Sequence, residues 1–177
     1  MNLSDPPEPY LLDRPWSALL FDEPEHYERV IAKLTAFLEA NPTHVPALNN
    51  RAIACWEIGR LDEALSGLAL ACEHAKHDPL PFKHRGMVLH QMGRPAEAVR
   101  QFRHGLEIAP GDAPLLRTLA HALRDAGEIE ESLEFFSRAI RASPGFKQTY
   151  LDRADIHERL GDTQSAESDR IAAQSLR

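Results

Sequence analysis

Four glycines, Gly59, Gly93, Gly127 and Gly161, stand 34 residues apart, and the chain around them repeats itself in the same register. Seven residues before each glycine come Ala52, Gly86, Ala120 and Ala154, and five after each come Ala64, Ala98, Ser132 and Ala166. Seven further on stand Ala71, Gly105, Ala139 and Ala173. A repeat of this length is one supersecondary unit that cannot bury its apolar side alone, so its copies must stack. Columns of small side chains mark places where two helices approach closely. The recurrent glycine is where a first helix ends, because glycine takes the left-handed C-terminal conformation without steric penalty. The residues after it read as entry into a second helix: Asp62-Glu63, Pro95-Ala96-Glu97 and Glu130-Glu131 place acids or proline in a first turn. Pro42, Pro110 and Pro144 close that second helix. Large apolar residues fill complementary positions, Leu48, Phe82, Leu116 and Tyr150 in the first helix and Leu68, Phe102 and Phe136 in the second.

These columns resemble the tetratricopeptide repeat. The segments LNNRAIACWEIGRLDEALSGLALA and FKHRGMVLHQMGRPAEAVRQFRHG are similar to repeats of bacterial proteins. The resemblance implies an all-α fold, a right-handed α-solenoid of four full helix–turn–helix repeats plus a degenerate N-terminal one. The full repeats run over 45–78, 79–112, 113–146 and 147–177, the degenerate copy over 11–44, and a loose tail over 1–10; residues 11–177 form one solenoid domain. Within the degenerate copy, His26 to Ala40 fits a second helix closed by Asn41-Pro42. Its first half, LLDRPWSALLF, departs from the pattern, and Glu25 stands where the turn glycine belongs. Two other departures matter. The closing proline of the first full repeat falls at Pro79 instead of position 76, which predicts an irregular AKHDPLP connection. Arg170 replaces the usual aromatic of the last repeat, where Arg170, Glu167, Asp169 and Gln174 are expected to supply the polar outer face an end repeat needs.

Several function classes fall away on composition. A net charge of −7 disfavours generic nucleic-acid binding, which needs a basic footprint. No apolar run approaches the ~20 residues of a membrane span, and MNLSDPPEPY has neither the basic start nor the apolar stretch of a secretory signal. With two cysteines, too few for a disulfide framework, the expected compartment is the cytoplasm. No glycine-rich phosphate loop occurs, Cys55 lies in a helix-core column without an activating base, and Asp152 and Asp155 lie on an open wall with nothing to desolvate them. No catalytic activity and no cofactor are expected. Nine histidines raise the question of a metal, but no HExxH, CxxC or His-x-His pattern occurs, and His84 and His90, six apart, fall on different sides of a helix. No metal site is expected either.

In the solenoid that the resemblance implies, the first helix of each pair lines the concave wall. Repeat positions 2, 5, 6, 9, 12 and 13 share one face of that helix, being spaced by three and four. They give the expected partner-binding residues: Asn49, Asn50, Ile53 and Trp56, then Lys83, His84, Met87 and His90, then Arg117, His121 and Arg124. Ile53, Trp56 and Met87 are surplus to the core columns and so available for contact. The face grades from an amide and aromatic end, through a basic middle, to an acidic end at Asp152, Asp155 and Glu158. A basic centre steers an acidic segment to the groove whatever the net charge, and an exposed aromatic beside arginine is the usual interface anchor. Protonation of the inward histidines near pH 6.5 would tighten such a partner.

The expected function is therefore a non-catalytic protein–protein interaction adaptor that binds an acidic partner segment in its groove. Two alternatives stay open: a cytoplasmic chaperone for an exported client protein, and a scaffold that self-assembles through its repeat ends. Some members of the family clamp the C-terminal carboxylate of heat-shock chaperones, but of the clamp positions only Lys83 fits. Arg51, Arg85 and Arg153 occupy one column that often holds leucine, and they are expected to pack their stems between helices while each guanidinium finds a carboxylate.

Overall fold

The computed structural model describes residues 24–176, which hold nine helices and no strand. The expected tail at 1–10 and the segment LLDRPWSALLF lie outside the described residues. The chain divides into two compact units, one ending at Gly93 and the other beginning at Arg94. The first holds α1 (Pro24–Ala40), α2 (Val45–Glu57), α3 (Leu61–His74) and α4 (Leu80–Gln91). The second holds α5 (Pro95–Ile108), α6 (Ala113–Asp125), α7 (Ile129–Ala142), α8 (Lys147–Arg159) and α9 (Thr163–Ser175). Within each unit every helix packs on the next, and in the first α2 also touches α4.

The 34-residue register is visible in the helix ends: Glu57, Gln91, Asp125 and Arg159 close first helices, and Leu61, Pro95, Ile129 and Thr163 open second ones. Between them the four recurrent glycines take φ of +80°, +71°, +86° and +78°. The positive φ turns the chain back so that the next amide reaches five residues behind it. Arg60 donates to the Cys55 carbonyl at 2.8 Å, Glu128 to Leu123 at 2.9 Å and Asp162 to His157 at 2.9 Å. These bonds satisfy carbonyls that the helix end would otherwise leave open.

The small columns are buried throughout, from Ala52, Ala64 and Ala71 in the first unit to Ala154, Ala166 and Ala173 in the second. Ser132 keeps its place among alanines because its Oγ donates to the Ala120 carbonyl on the facing helix at 2.7 Å, so no buried hydroxyl is left unpaired. Leu34, Leu48 and Leu68 fill the first unit, and Phe102, Leu116, Leu123 and Phe136 fill the second. Tyr150 of the same large column is only half-buried, and its hydroxyl donates to the Pro144 carbonyl at 3.1 Å.

The departures from the repeat have local consequences. α3 stops at His74, and α4 starts at Leu80, one residue later in the register than Val45, Ala113 and Lys147 start theirs. Asp78 accepts from the Leu80 amide at 2.9 Å, an Asx-type turn two residues before that late start. Glu25, which stands where the turn glycine belongs, lies inside α1. At the last helix, Arg170 pairs with Glu158, but Asp169 is not part of a polar outer face. It is buried and gripped by Arg153, while Ile171 and Leu160 are the exposed apolar residues there. No helix among the described residues is long and apolar enough to cross a membrane.

Candidate binding faces

Each unit presents the inward positions of two first helices, α2 and α4 in one, α6 and α8 in the other. On the α2–α4 face the helices are tied by pairs of residues 35 apart. Asn49 Oδ1 lies 2.8 Å from His84 Nδ1, and Trp56 Nε1 donates to Gln91 Oε1 at 2.6 Å. Asn49 Nδ2 in turn donates to Asn50 Oδ1 at 3.1 Å. A carbonyl oxygen only accepts, so His84 carries its proton on Nδ1 and leaves Nε2 as an acceptor.

The expected contacts of this face divide in two. Asn49, Asn50 and Ile53 are buried, Ile53 at 1% exposure within the apolar core, so they hold helices together instead of facing a partner. Ile53 packs in a cluster with Tyr27, Val30, Leu34 and Leu38 of α1, and His84 of α4 reaches across to Asn49. Trp56 is half-buried: one side packs on the core and the indole N–H is spent on Gln91. Lys83, His84, Met87 and His90 are also half-buried, and Lys83 makes no ion pair among the described residues.

Burial, with the charge of Lys83 beside it, pushes the His84 pKa down to about 4. His84 is thus neutral at physiological pH and does not supply the pH-dependent charge expected of it. Unfolded, it titrates near 6.5. Between the two values the unfolded chain binds a proton that the folded chain refuses, so stability is complete above the unfolded value and declines as pH falls toward the folded one. Urea unfolding should show a loss on the order of 3 kcal/mol from pH 7 to pH 4, reduced in His84→Gln. An equal loss in both proteins would assign the effect to other groups.

On the second face, Arg117, His121 and Arg124 follow one stripe of α6, and Asp152 of α8 sits among them. Asp152 Oδ2 accepts from His121 Nε2 at 2.9 Å and from Arg117 Nη1 at 3.4 Å, again a pair 35 residues apart, while Oδ1 accepts from Gln148 Nε2 at 2.9 Å. Burial alone would raise the Asp152 pKa; hydrogen bonds from His121 and Gln148, and the charges of His121 and Arg117, outweigh it and hold the carboxyl below its ordinary value. Arg124 Nε donates to Asp125 at 2.8 Å, and Asp155 pairs with Arg159 at 3.0 Å. The basic stripe and the acidic end are therefore not separate zones: within this unit the carboxylates lie against the cations. The imidazole of His121 meets the Phe136 ring edge-on, centroids 5.0 Å apart.

In the arginine column, Arg153 reaches Asp169 through two nitrogens and Ser137 through a third. Arg51 and Arg85 find no carboxylate within ion-pair range among the described residues; Arg85 instead lies against the Cys72 thiol. Both thiols are shielded from reaction by burial, which raises Cys55 and pushes Cys72 up to about 11. Among the described residues no three His, Cys, Asp or Glu side chains come together to hold a metal ion.

Comparison with known proteins places these faces in context. Two family models, each described as tetratricopeptide repeat, match residues 18–78 and 89–145. Protein FlbA of Caulobacter vibrioides is 27% identical over 130 residues, which is 73% of this chain and 19% of that protein. The TPR repeat-containing thioredoxin TTL4 of Arabidopsis thaliana is 26% identical over 84 residues, 48% of this chain and 12% of that protein. The chain thus spans less than a fifth of either curated relative's length. Among solved structures, MamA superposes with a TM-score of 0.79 at 17% identity, covering 88% of this chain and 94% of that one. YrrB, described as a TPR protein with an unusual peptide-binding site, gives 0.74 at 17% identity over 92% of this chain and 81% of its own. At such identities the likeness is one of fold.

Proposed function

Because this chain belongs to the tetratricopeptide-repeat family, we propose that it is a non-catalytic adaptor that binds a segment of another protein on its first-helix faces, and that the segment is acidic. The observation that carries this is the α6 stripe. Arg117 and Arg124 keep side chains 29% and 25% exposed beside the half-buried His121, on a helix already held rigid by its neighbours. Preorganised donors lose little entropy when a partner arrives. Lys83, Trp56, Met87 and His90 supply the corresponding contacts of the first unit. YrrB supports the class of ligand, a peptide, and nothing finer.

Selection of peptides from a displayed random library against the whole chain tests this. Acid-containing peptides should emerge, and Arg117→Ala with Arg124→Ala should weaken them by about a hundredfold, from two charge-assisted contacts of roughly 1.5 kcal/mol each, with helicity unchanged. Peptides that lack acids, or that bind the double variant equally well, would overturn the assignment.

A further inference from the structure

Between the first turns of α6 and α8 lies a cleft of about 110 Å³, lined by Ala113, Pro114, Arg117, Ser143, Phe146 and Thr149. Its walls are mainly carbon, and Phe146 on its rim is 48% exposed, a large aromatic left uncovered within a well-packed unit. The Arg117 guanidinium stands over that ring, 5.2 Å from its centroid. The ring face attracts the cation there and favours this placement of the guanidinium. Five N–H donors are available to an arginine, yet the hydrogen bond to Asp152 uses one, and at 3.4 Å it is at the long limit for such a bond. Asp152 itself is better satisfied by His121 and Gln148, at 2.9 Å each. Arg117 is thus a cation held in place with donors to spare, at the mouth of a small apolar cavity.

We propose that this cleft is a side-chain pocket for a partner segment in which an aliphatic residue stands next to an aspartate or glutamate. The aliphatic chain enters between Pro114, Ala113 and Phe146, and the carboxylate takes the open edge of Arg117. This rests on the adaptor function above and gives it a subsite. Size selects the aliphatic partner: a cavity of about 150 Å³ admits benzene, so a space of 110 Å³ suits leucine or valine better than an aromatic ring. Charge selects the acid, because a bidentate carboxylate fills the guanidinium edge that Asp152 leaves vacant. Phe146 is the N-cap of α8 and supplies no side-chain cap, so the positive end of that helix lies on the same rim.

The probe is the blocked tetrapeptide Ac-Gly-Leu-Glu-Gly-NH2, titrated into the ¹⁵N-labelled full chain and followed by NMR. Saturable shifts are expected at the amides of Ala113, Phe146 and Thr149 and at the Arg117 Nε. Ac-Gly-Leu-Gln-Gly-NH2 should bind about tenfold more weakly through loss of the charge-assisted contact. Ac-Gly-Ala-Glu-Gly-NH2 should be weaker by about tenfold or more through loss of buried methylenes. Arg117→Gln should abolish the preference for Glu over Gln, and Ala113→Leu, which fills the cleft, should abolish the preference for Leu over Ala. No saturable shift with the Leu-Glu peptide, or equal shifts with all three, would overturn the pocket. The comparison on the unaltered chain decides even where a variant misfolds. Library-selected peptides that bind through Arg124 without moving Phe146 or Thr149 would also sink the pocket, while leaving the adaptor function standing.

Discussion

Asp169→Ala is expected to lower the unfolding free energy by about 3 kcal/mol, the low end for a buried ion pair, because it leaves the half-buried Arg153 without its counter-charge. Asp169 is 4% exposed. Its carboxylate accepts from Arg153 Nε at 2.8 Å and Nη2 at 2.6 Å, and Arg153 Nη1 donates to Ser137 Oγ at 2.7 Å. Those three residues lie on α9, α8 and α7, so one guanidinium ties three helices together. The bonds run through charged, directional groups, and truncation leaves two guanidinium donors that water reaches only in part, since the Arg153 side chain is 22% exposed. Against a typical total of about 5–15 kcal/mol, such a loss is a large fraction of the stability. Replacing both partners by leucine should restore most of it, to within about 1 kcal/mol of the parent, since the desolvation cost of the pair disappears together with its attraction. Urea unfolding of the two single variants and the double variant separates these outcomes. A loss below about 1 kcal/mol in Asp169→Ala would mean that Arg153 relaxes into water and that the pair behaves as a surface one.

The same pair shows what the sequence could carry. Helix register was legible because its causes are local and recur every 34 residues: a glycine that must turn with positive φ, an acid or proline that opens the next helix, a small residue at each crossing. Arg153 was legible as a structural arginine in a leucine column, but its partner was not, because by residue type alone Asp169 belongs with the solvated residues of α9. The binding faces were less legible still. Counting positions on a helix gives the direction in which a side chain leaves the axis, not whether a neighbour covers it. Asn49, Asn50 and Ile53 occupy the same repeat positions as partner contacts elsewhere, yet Asn49 is met by His84 of α4 and Ile53 is packed among α1 residues. A spacing of 35 residues was the signal available: Asn49 with His84, Trp56 with Gln91 and Arg117 with Asp152 each join positions one step apart in consecutive repeats. Read as pairs, they identify the polar rungs between first helices. Read one at a time, as ligands for an absent partner, they look like free contacts. The cleft beside Phe146 left no trace in the periodic columns, since it lies at the junction of α8 with the loop before it, where the repeat constrains residue type least.

Phe136→Ala is expected to cost about 3–5 kcal/mol, because a fully buried aromatic is replaced by a cavity that close-packed neighbours cannot refill. The more informative variant is Phe136→Leu, which keeps most of the volume and should cost about 1–1.5 kcal/mol. What leucine does not restore is the ring edge against which His121 stands, centroids 5.0 Å apart and planes at 87°. If that contact holds the imidazole toward Asp152, the 2.9 Å bond should loosen in Phe136→Leu although the unit stays folded. Asp152 reports the change. Burial already works to raise its pKa, and the His121 bond is the largest influence that lowers it, so weakening that bond must move the carboxyl upward toward its ordinary value. The stability that the depressed pKa supplies is complete above the unfolded carboxylate range and is lost as pH falls through the folded value. In the variant this loss starts at the same pH, which the unfolded chain sets, but it ends at a higher pH and is smaller. A carbon-detected titration of Asp152 in both proteins measures it directly, with urea unfolding alongside. An unchanged Asp152 titration in Phe136→Leu would show that His121 is positioned by α6 itself, and that the packing of α7 sets the stability of this unit without setting the geometry of its charged face.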